Sequence, residues 1–167
     1  MKHEAAGLFD DALIAPPADR RMTQRVMRAW TEAGRGAFPS WTALRAIDLG
    51  QDWNWVFVVD LKQSLGFPHF VYLGPRLAQL SEVYLSGSAD WTLSLLDTAT
   101  TQIEAAVALE APQESADELV LCDGRRIAFR CMTAPLAEDG TGISHVLGCA
   151  FGRLAEAQDA KPFLRAI

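Results

Sequence analysis

The sequence lacks most of the features that would define its class at once. It has three cysteines among 167 residues, and none of them form a Cys-x-x-Cys pair. So low and odd a count excludes a disulfide-stapled scaffold and favours a reducing compartment. No apolar run approaches the ~20 residues that cross a bilayer, and no signal-peptide core is recognisable near the start. We therefore expect a soluble, cytoplasmic protein without a membrane segment.

Motifs that mark common catalytic and cofactor sites are also missing. The chain has no G-x-S-x-G, Walker A, G-x-G-x-x-G or H-E-x-x-H sequence. Histidine occurs only as His3, His69 and His145, and no pair of acids stands out as general acid and base. We expect no enzyme activity, no metal site and no bound cofactor. Cys122, Cys131 and Cys149 all fall in predicted strands, and we expect three buried small apolar side chains. A zinc or redox site, with Cys131 and Cys149 opposite each other, is the alternative.

Positive charge is absent from the middle of the chain. The formal net charge is −6, and from Leu77 to Gly124 nine acidic residues occur without any Lys or Arg. This balance argues against nucleic-acid binding. A solvated acidic helix face is the simpler interpretation of the stretch, and a docking surface for a basic partner is the alternative.

What is present begins with an amphipathic helix. Residues 1–18 are interpreted as a flexible leader, which Pro16-Pro17 separates from a helix over residues 19–34. An apolar stripe runs along this helix, and a short amphipathic helix is not stable alone in water. We expect the helix to form an interface, for example in a homodimer, through three residues: Met22, Val26 and Trp30.

The rest of the chain alternates between strand and helix patterns. Asp123-Gly124 between two apolar segments predicts a two-residue hairpin turn. One long helix is predicted from Asp90 to Glu110 with Asp90 as its N-cap. Five strands are predicted over Trp53 to Asp60, Phe67 to Leu73, Glu118 to Cys122, Arg125 to Leu136 and Ile143 to Leu154. Two strands, helices and three strands predict an α+β fold with one antiparallel sheet and a helical crossover.

Several short segments carry a resemblance to a known family. Val71-Tyr72-Leu73-Gly74-Pro75-Arg76-Leu77, Leu85-Ser86-Gly87 and Pro135-Leu136-Ala137-Glu138-Asp139-Gly140 occur in that order. In this order they resemble the short, stand-alone, alphaproteobacterial-type PAS proteins, over about Ala29 to Leu154. The resemblance implies a single PAS-like domain over residues 35–154, a five-stranded antiparallel sheet, and a C-terminal tail over residues 155–167.

A PAS-like sheet and its crossover helices enclose a small apolar space. The resemblance implies a sensory or regulatory module that acts on an unknown partner protein, with a small-molecule ligand in this pocket. A ligand-free interaction or scaffold protein is the alternative, and a small enzyme is a third. Tyr72 would be the polar anchor of such a ligand. The predicted lining residues are Phe57, Val59, Phe70, Tyr72, Leu95, Ile103, Phe129 and Leu147.

Overall fold

One five-stranded antiparallel sheet organises the chain in the computed structural model, which describes residues 22–86 and 93–155. The strands are β1 (Val56–Asp60), β2 (Phe70–Leu73), β3 (Gln113–Val120), β4 (Arg126–Leu136) and β5 (His145–Leu154). The helices are α1 (Met22–Gly34), α2 (Trp41–Leu44), α3 (Pro75–Gln79), α4 (Leu95–Thr100) and α5 (Ile103–Leu109), with 3-10 turns over Gly50–Trp55 and Leu80–Glu82.

The strand order is β2-β1-β5-β4-β3, with every neighbouring pair antiparallel. The first and last strands therefore lie side by side near the middle, and the chain crosses from β2 to β3 through α3, α4 and α5. This arrangement confirms the predicted α+β, PAS-like fold with its helical crossover and N-terminal helix. None of the helices in the described ranges combines the length and apolar character needed to span a bilayer.

The sheet has an inner face, covered by the crossover helices, and an outer face, on which α1 packs. Because side chains alternate along a strand, Phe57 and Val59 of β1 enter the inner core while Val56 and Val58 enter the outer core. Both cores consist almost entirely of apolar side chains. Removing this surface from water is the main stabilising contribution to the fold.

The predicted long helix differs from the structure in two ways. Its residue Asp90 lies outside the described ranges, and α4 begins at Leu95 after a capping box in which Ser94 and Asp97 bond each other's backbone N–H groups. This reciprocal cap satisfies two N–H groups of the first turn. The helix is then interrupted at Thr101 and Gln102, so that α4 and α5 are separate segments.

The boundaries of several strands were also predicted wrongly, and β2, for example, begins at Phe70 rather than Phe67. Trp53 to Trp55 belong to a 3-10 turn, so β1 begins at Val56. β3 begins at Gln113 rather than Glu118 because Gln113 already pairs with Thr133 of β4. Tertiary pairing overrides the weak strand propensity of this acidic segment.

The N-terminal helix packs on its own sheet. Met22, Val26 and Ala29 are buried in the outer core against β4 and β5, and the Trp30 Nε1–H donates to the Pro135 carbonyl at 2.7 Å. The Arg25 guanidinium holds the Asp52 carboxylate through two bonds of 2.6 and 2.7 Å. Met22 and Val26 of the predicted interface stripe are therefore buried within their own chain.

The predicted hairpin at Asp123-Gly124 is present, with a three-residue rather than a two-residue loop. Leu121 N–H donates to Arg125 O at 2.8 Å, and Gly124 N–H donates to Leu121 O at 2.9 Å. Gly124 has φ +86°. This left-handed conformation is the one that a three-residue hairpin needs at its last position.

Replacing Gly124 with valine should therefore destabilise the protein. A β-branched residue at this φ costs about 2 kcal/mol, which a urea melt measures directly. Gly142→Val is the matched control, because Gly142 faces open space and does not have a left-handed φ. Equal stability of Gly124→Val and the parent protein would contradict the hairpin geometry.

Candidate functional site

The inner core is the place where a PAS-like fold could hold a ligand. Six of the eight predicted lining residues do lie together there, between the sheet and the crossover helices. They are Phe57, Val59, Phe70, Leu95, Ile103 and Phe129.

Part of this space is occupied by side chains of the protein itself. The Phe57 ring lies directly on Gly148 of β5, so close that a Cβ at Gly148 would be 2.0 Å from Phe57 Cζ. The rings of Phe57 and Phe70 also pack in a T-shaped arrangement, with their centroids 5.8 Å apart and 87° between their planes. A glycine in the interior of a strand often marks such a close approach. Gly148 is thus the residue that sequence reasoning missed and that a strand glycine could have signalled.

Tyr72 and Leu147 were predicted in the pocket but lie on the outer face. Both pair with Val58, whose side chain points outward. The register of β1 and β2 shifts between Val58 and Val59, so that Val59 pairs with Phe70 and Val71 is the additional residue. Such a bulge reverses the alternation of side chains. It places Phe70 inward and Tyr72 outward although they are two residues apart.

On the outer face Tyr72 joins an aromatic cluster with Trp41 and Trp53. The three ring pairs have centroid distances of 5.6 to 5.9 Å. The Tyr72 hydroxyl donates to the Trp53 carbonyl at 2.7 Å, and desolvation by burial raises the pKa of Tyr72. This hydroxyl therefore donates its hydrogen within the chain, and Tyr72 lies outside the pocket in which it was predicted to anchor a ligand.

The part of the outer face beyond α1 is open. A groove of about 370 Å³ lies there, over β3, β4 and the end of β5. We call it the outer-face groove. Its main lining residues are Ala116, Glu118, Ala128, Arg130, Phe151 and Arg153. The groove thus combines apolar side chains with charges of both signs.

A second groove, of about 560 Å³, lies beside the end of α1 and the β4–β5 loop. Its aromatic wall is formed by Trp30 and Phe38, whose ring centroids are 6.4 Å apart. The opposite wall is formed largely by Ala137 and the segment 140–142. Neither groove is part of the predicted pocket between the helices and the sheet.

Ser144, His145 and Asp60 form the arrangement most similar to a catalytic set. Ser144 Oγ is 2.8 Å from His145 Nδ1, but His145 Nε2 is 3.8 Å from Asp60 Oδ2, beyond hydrogen-bond distance. The Ser144 hydroxyl also accepts the Glu138 N–H at 3.0 Å, and Asp60 Oδ1 accepts the Lys62 N–H at 2.9 Å. These bonds give the side chains a role in closing the two neighbouring loops.

The cysteines do not form a common site. Cys131 points into the inner core and Cys149 into the outer core, so the sheet itself separates their thiols. Burial raises the pKa of Cys131 to about 11 and also raises that of Cys149. Across the described ranges, no cluster of three His, Cys, Asp or Glu side chains has an arrangement that could bind a metal ion. Cys122, in contrast, is exposed in the hairpin loop.

Comparison with known proteins finds similar solved structures, whereas no family model and no curated protein matches the chain. A light-oxygen-voltage domain studied with a flavin analogue aligns with 71% of this chain and 89% of its own, at 15% identity and a TM-score of 0.43. The dark structure of the blue-light photoreceptor Aureochrome1 LOV aligns with 72% of this chain and 87% of its own, at 15% identity and a TM-score of 0.42. The PAS domain of Bordetella pertussis BvgS aligns with 64% of this chain and 79% of its own, at 15% identity and a TM-score of 0.34. The likeness concerns the fold, and does not extend to a ligand or a function.

The contact between Phe57 and Gly148 predicts how the inner core responds to added volume. Gly148→Ala should lower the free energy of unfolding by about 3 kcal/mol, because the new methyl group overlaps the ring. In a Phe57→Leu background the same change should cost less than half as much, as a double-mutant cycle in urea would measure. Gly142→Ala, at an open position, is the control. Equal costs in both backgrounds would contradict a filled core.

The thiols should differ in reactivity with Ellman's reagent at pH 8. Only a thiolate attacks the reagent, and the raised pKa values keep Cys131 and Cys149 protonated and buried in the folded protein. One thiol per chain, Cys122, should react within minutes, and all three should react in denaturant. Cys122→Ser should abolish the fast phase, and a fast second equivalent would show that a core opens readily.

Proposed function

We propose that this chain is a PAS-type regulatory module that acts through contact with a partner protein and not through turnover of a substrate. The observation that carries the proposal is the Phe57 ring on Gly148. It occupies part of the space between sheet and helices in which such a fold could hold a ligand. A module whose interior is occupied by its own side chains communicates through its surface.

The surface offers apolar anchors for such a contact. Leu65 and Phe67, in the loop between β1 and β2, are 87% and 84% exposed. Between them Gly66 has φ +87°, which a tight loop conformation needs. Aromatic and apolar side chains that fill a pocket on the partner contribute a large share of binding energy at protein interfaces. Exposed side chains of this size favour a binding module over a solvated loop.

The chemistry of the described residues supports contact over catalysis. The one Ser-His-Asp juxtaposition is held in loop-closing hydrogen bonds, and its His145–Asp60 distance is 3.8 Å. Nucleophilic catalysis needs a base that is itself oriented by a hydrogen-bonded third group. The proposed module therefore has a regulatory role without its own reaction.

A reducing compartment is part of the same proposal. Cys122 is an exposed free thiol, and free thiols of this kind persist where glutathione keeps them reduced. We place the module in the cytoplasm on this ground.

Native mass spectrometry of the purified protein tests the proposed function. A filled interior predicts a mass equal to that of the polypeptide alone. A small molecule retained at one equivalent per chain, and lost on denaturation, would overturn the filled interior and favour a ligand-sensing module. Phe57→Ala is the matched variant, because it opens space over Gly148. Only this variant should take up an apolar probe such as benzene.

A further inference from the structure

β3 forms an open edge of the sheet. Among the described residues β4 is the only strand that pairs with it, and Ser86 N–H donates to the carbonyl of its last residue, Val120. It is eight residues long, whereas β2 on the opposite edge has four. At ~3.4 Å per residue the part of this edge before Val120 is about 24 Å long. An edge of this length is a template for an additional strand.

Two hydrogen bonds determine which backbone groups of β3 face outward. Leu121 N–H donates to Arg125 O on the β4 side, and Val120 O accepts from Ser86 N–H on the other side, both at 2.8 Å. The register with β4 is continuous, and backbone groups of successive residues point to opposite sides of an antiparallel strand. Four residues of β3 therefore direct N–H and C=O away from β4. The Val120 carbonyl is bonded to Ser86, and the other three are Glu114, Ala116 and Glu118.

Acidic side chains border this edge on both faces of the sheet. Glu114 and Glu118 lie on the outer face and Asp117 lies on the inner face, and all three residues are exposed. β3 contains no Lys or Arg. Arg126 of β4 pairs with Glu118 from behind the edge. An approaching strand therefore meets the carboxylates of β3 first.

We propose that the outer edge of β3 binds an extended, basic segment of a partner protein, which adds a sixth strand to the sheet. The inference rests on the proposed function and names the surface and the partner's chemistry. A second copy does not fit, because twofold antiparallel pairing would place acidic strands side by side, and like charges opposite each other destabilise a sheet. A basic strand gains both the backbone hydrogen bonds and cross-strand charge pairs.

The positions of the acids specify the arrangement of basic residues in the partner. In an antiparallel strand, residues opposite Glu118, Asp117 and Glu114 are the first, second and fifth of a five-residue segment. The residues between them lie opposite Ala116 and Ser115, where small or β-branched side chains fit the pleat. A peptide with the core Lys-Lys-Val-Thr-Lys satisfies this pattern.

The test measures binding of a fluorescein-labelled peptide with this core to the full chain by fluorescence anisotropy at low salt. Ala116→Pro removes the central outward N–H without affecting a bond to β4. It should weaken binding about tenfold. Ala116→Val retains the N–H and should bind within about twofold of the parent protein. Binding that survives Ala116→Pro unchanged would overturn the proposal.

A second arm changes only the charge. The triple variant Glu114→Gln, Asp117→Asn, Glu118→Gln should lose most of the affinity and most of its salt dependence. The control removes equal charge elsewhere on the described surface, through Glu82→Gln, Glu104→Gln and Glu110→Gln. Equal losses in both triple variants, or equal binding of a peptide with Glu in place of each Lys, would show attraction to net charge and not to the edge.

Hydrogen exchange provides a measurement that needs no substitution. The peptide should slow exchange at the amides of Glu114, Ala116 and Glu118, which face outward, and leave those of Ser115 and Asp117 unchanged. A peptide N-methylated at the valine opposite Ala116 should not bind. Absence of protection overturns the edge site alone, whereas a retained small molecule in native mass spectrometry overturns the proposed function.

Discussion

The packing of the Phe57 ring on Gly148 is the contact on which the rest of the molecule depends. It joins the first and last strands at the middle of the sheet, where β1 and β5 pair. Because Gly148 has no side chain, the tip of the ring can lie against the strand under the crossover helices. Any larger residue at Gly148 would overlap the ring, which also contacts Phe70. A side chain of β1 thereby occupies the middle of the inner face.

Local chemistry was sufficient to predict those elements in which nearby residues provide the backbone hydrogen bonds or the backbone conformation that the element needs. The Asp123-Gly124 pair predicted the β3–β4 hairpin, for which Gly124 provides the left-handed residue, and Ser40 caps α2 by accepting the Ala43 N–H in the same local way. In both cases the interaction joins residues a few positions apart. The succession of helices and strands along the chain could be predicted as well, because strand and helix patterns differ in their hydrophobic period.

The residues that line the pocket could be predicted only in part, because the pairing register of the strands determines which side chains point inward. Alternation alone places Phe70 and Tyr72 on the same face, and the bulge at Val71 separates them. The bulge is determined by how β2 pairs with β1, which no local pattern in β2 reveals. Leu147 was misplaced for a related reason. In the uninterrupted apolar run of β5 both faces are buried, so hydropathy does not indicate which residues point inward.

The first part of β3 is a strand because of its partner, and this explains both why that part was missed and why its edge is unusual. Gln113 to Asp117 have little strand propensity, and their pairing with β4 supplies the order that composition does not. A strand held in this way can carry carboxylates on both faces, since few of its side chains are needed in a core. The same carboxylates protect the open edge from pairing with another copy. The acidic stretch that composition assigned to a helix face thus serves to keep a long β edge available and selective.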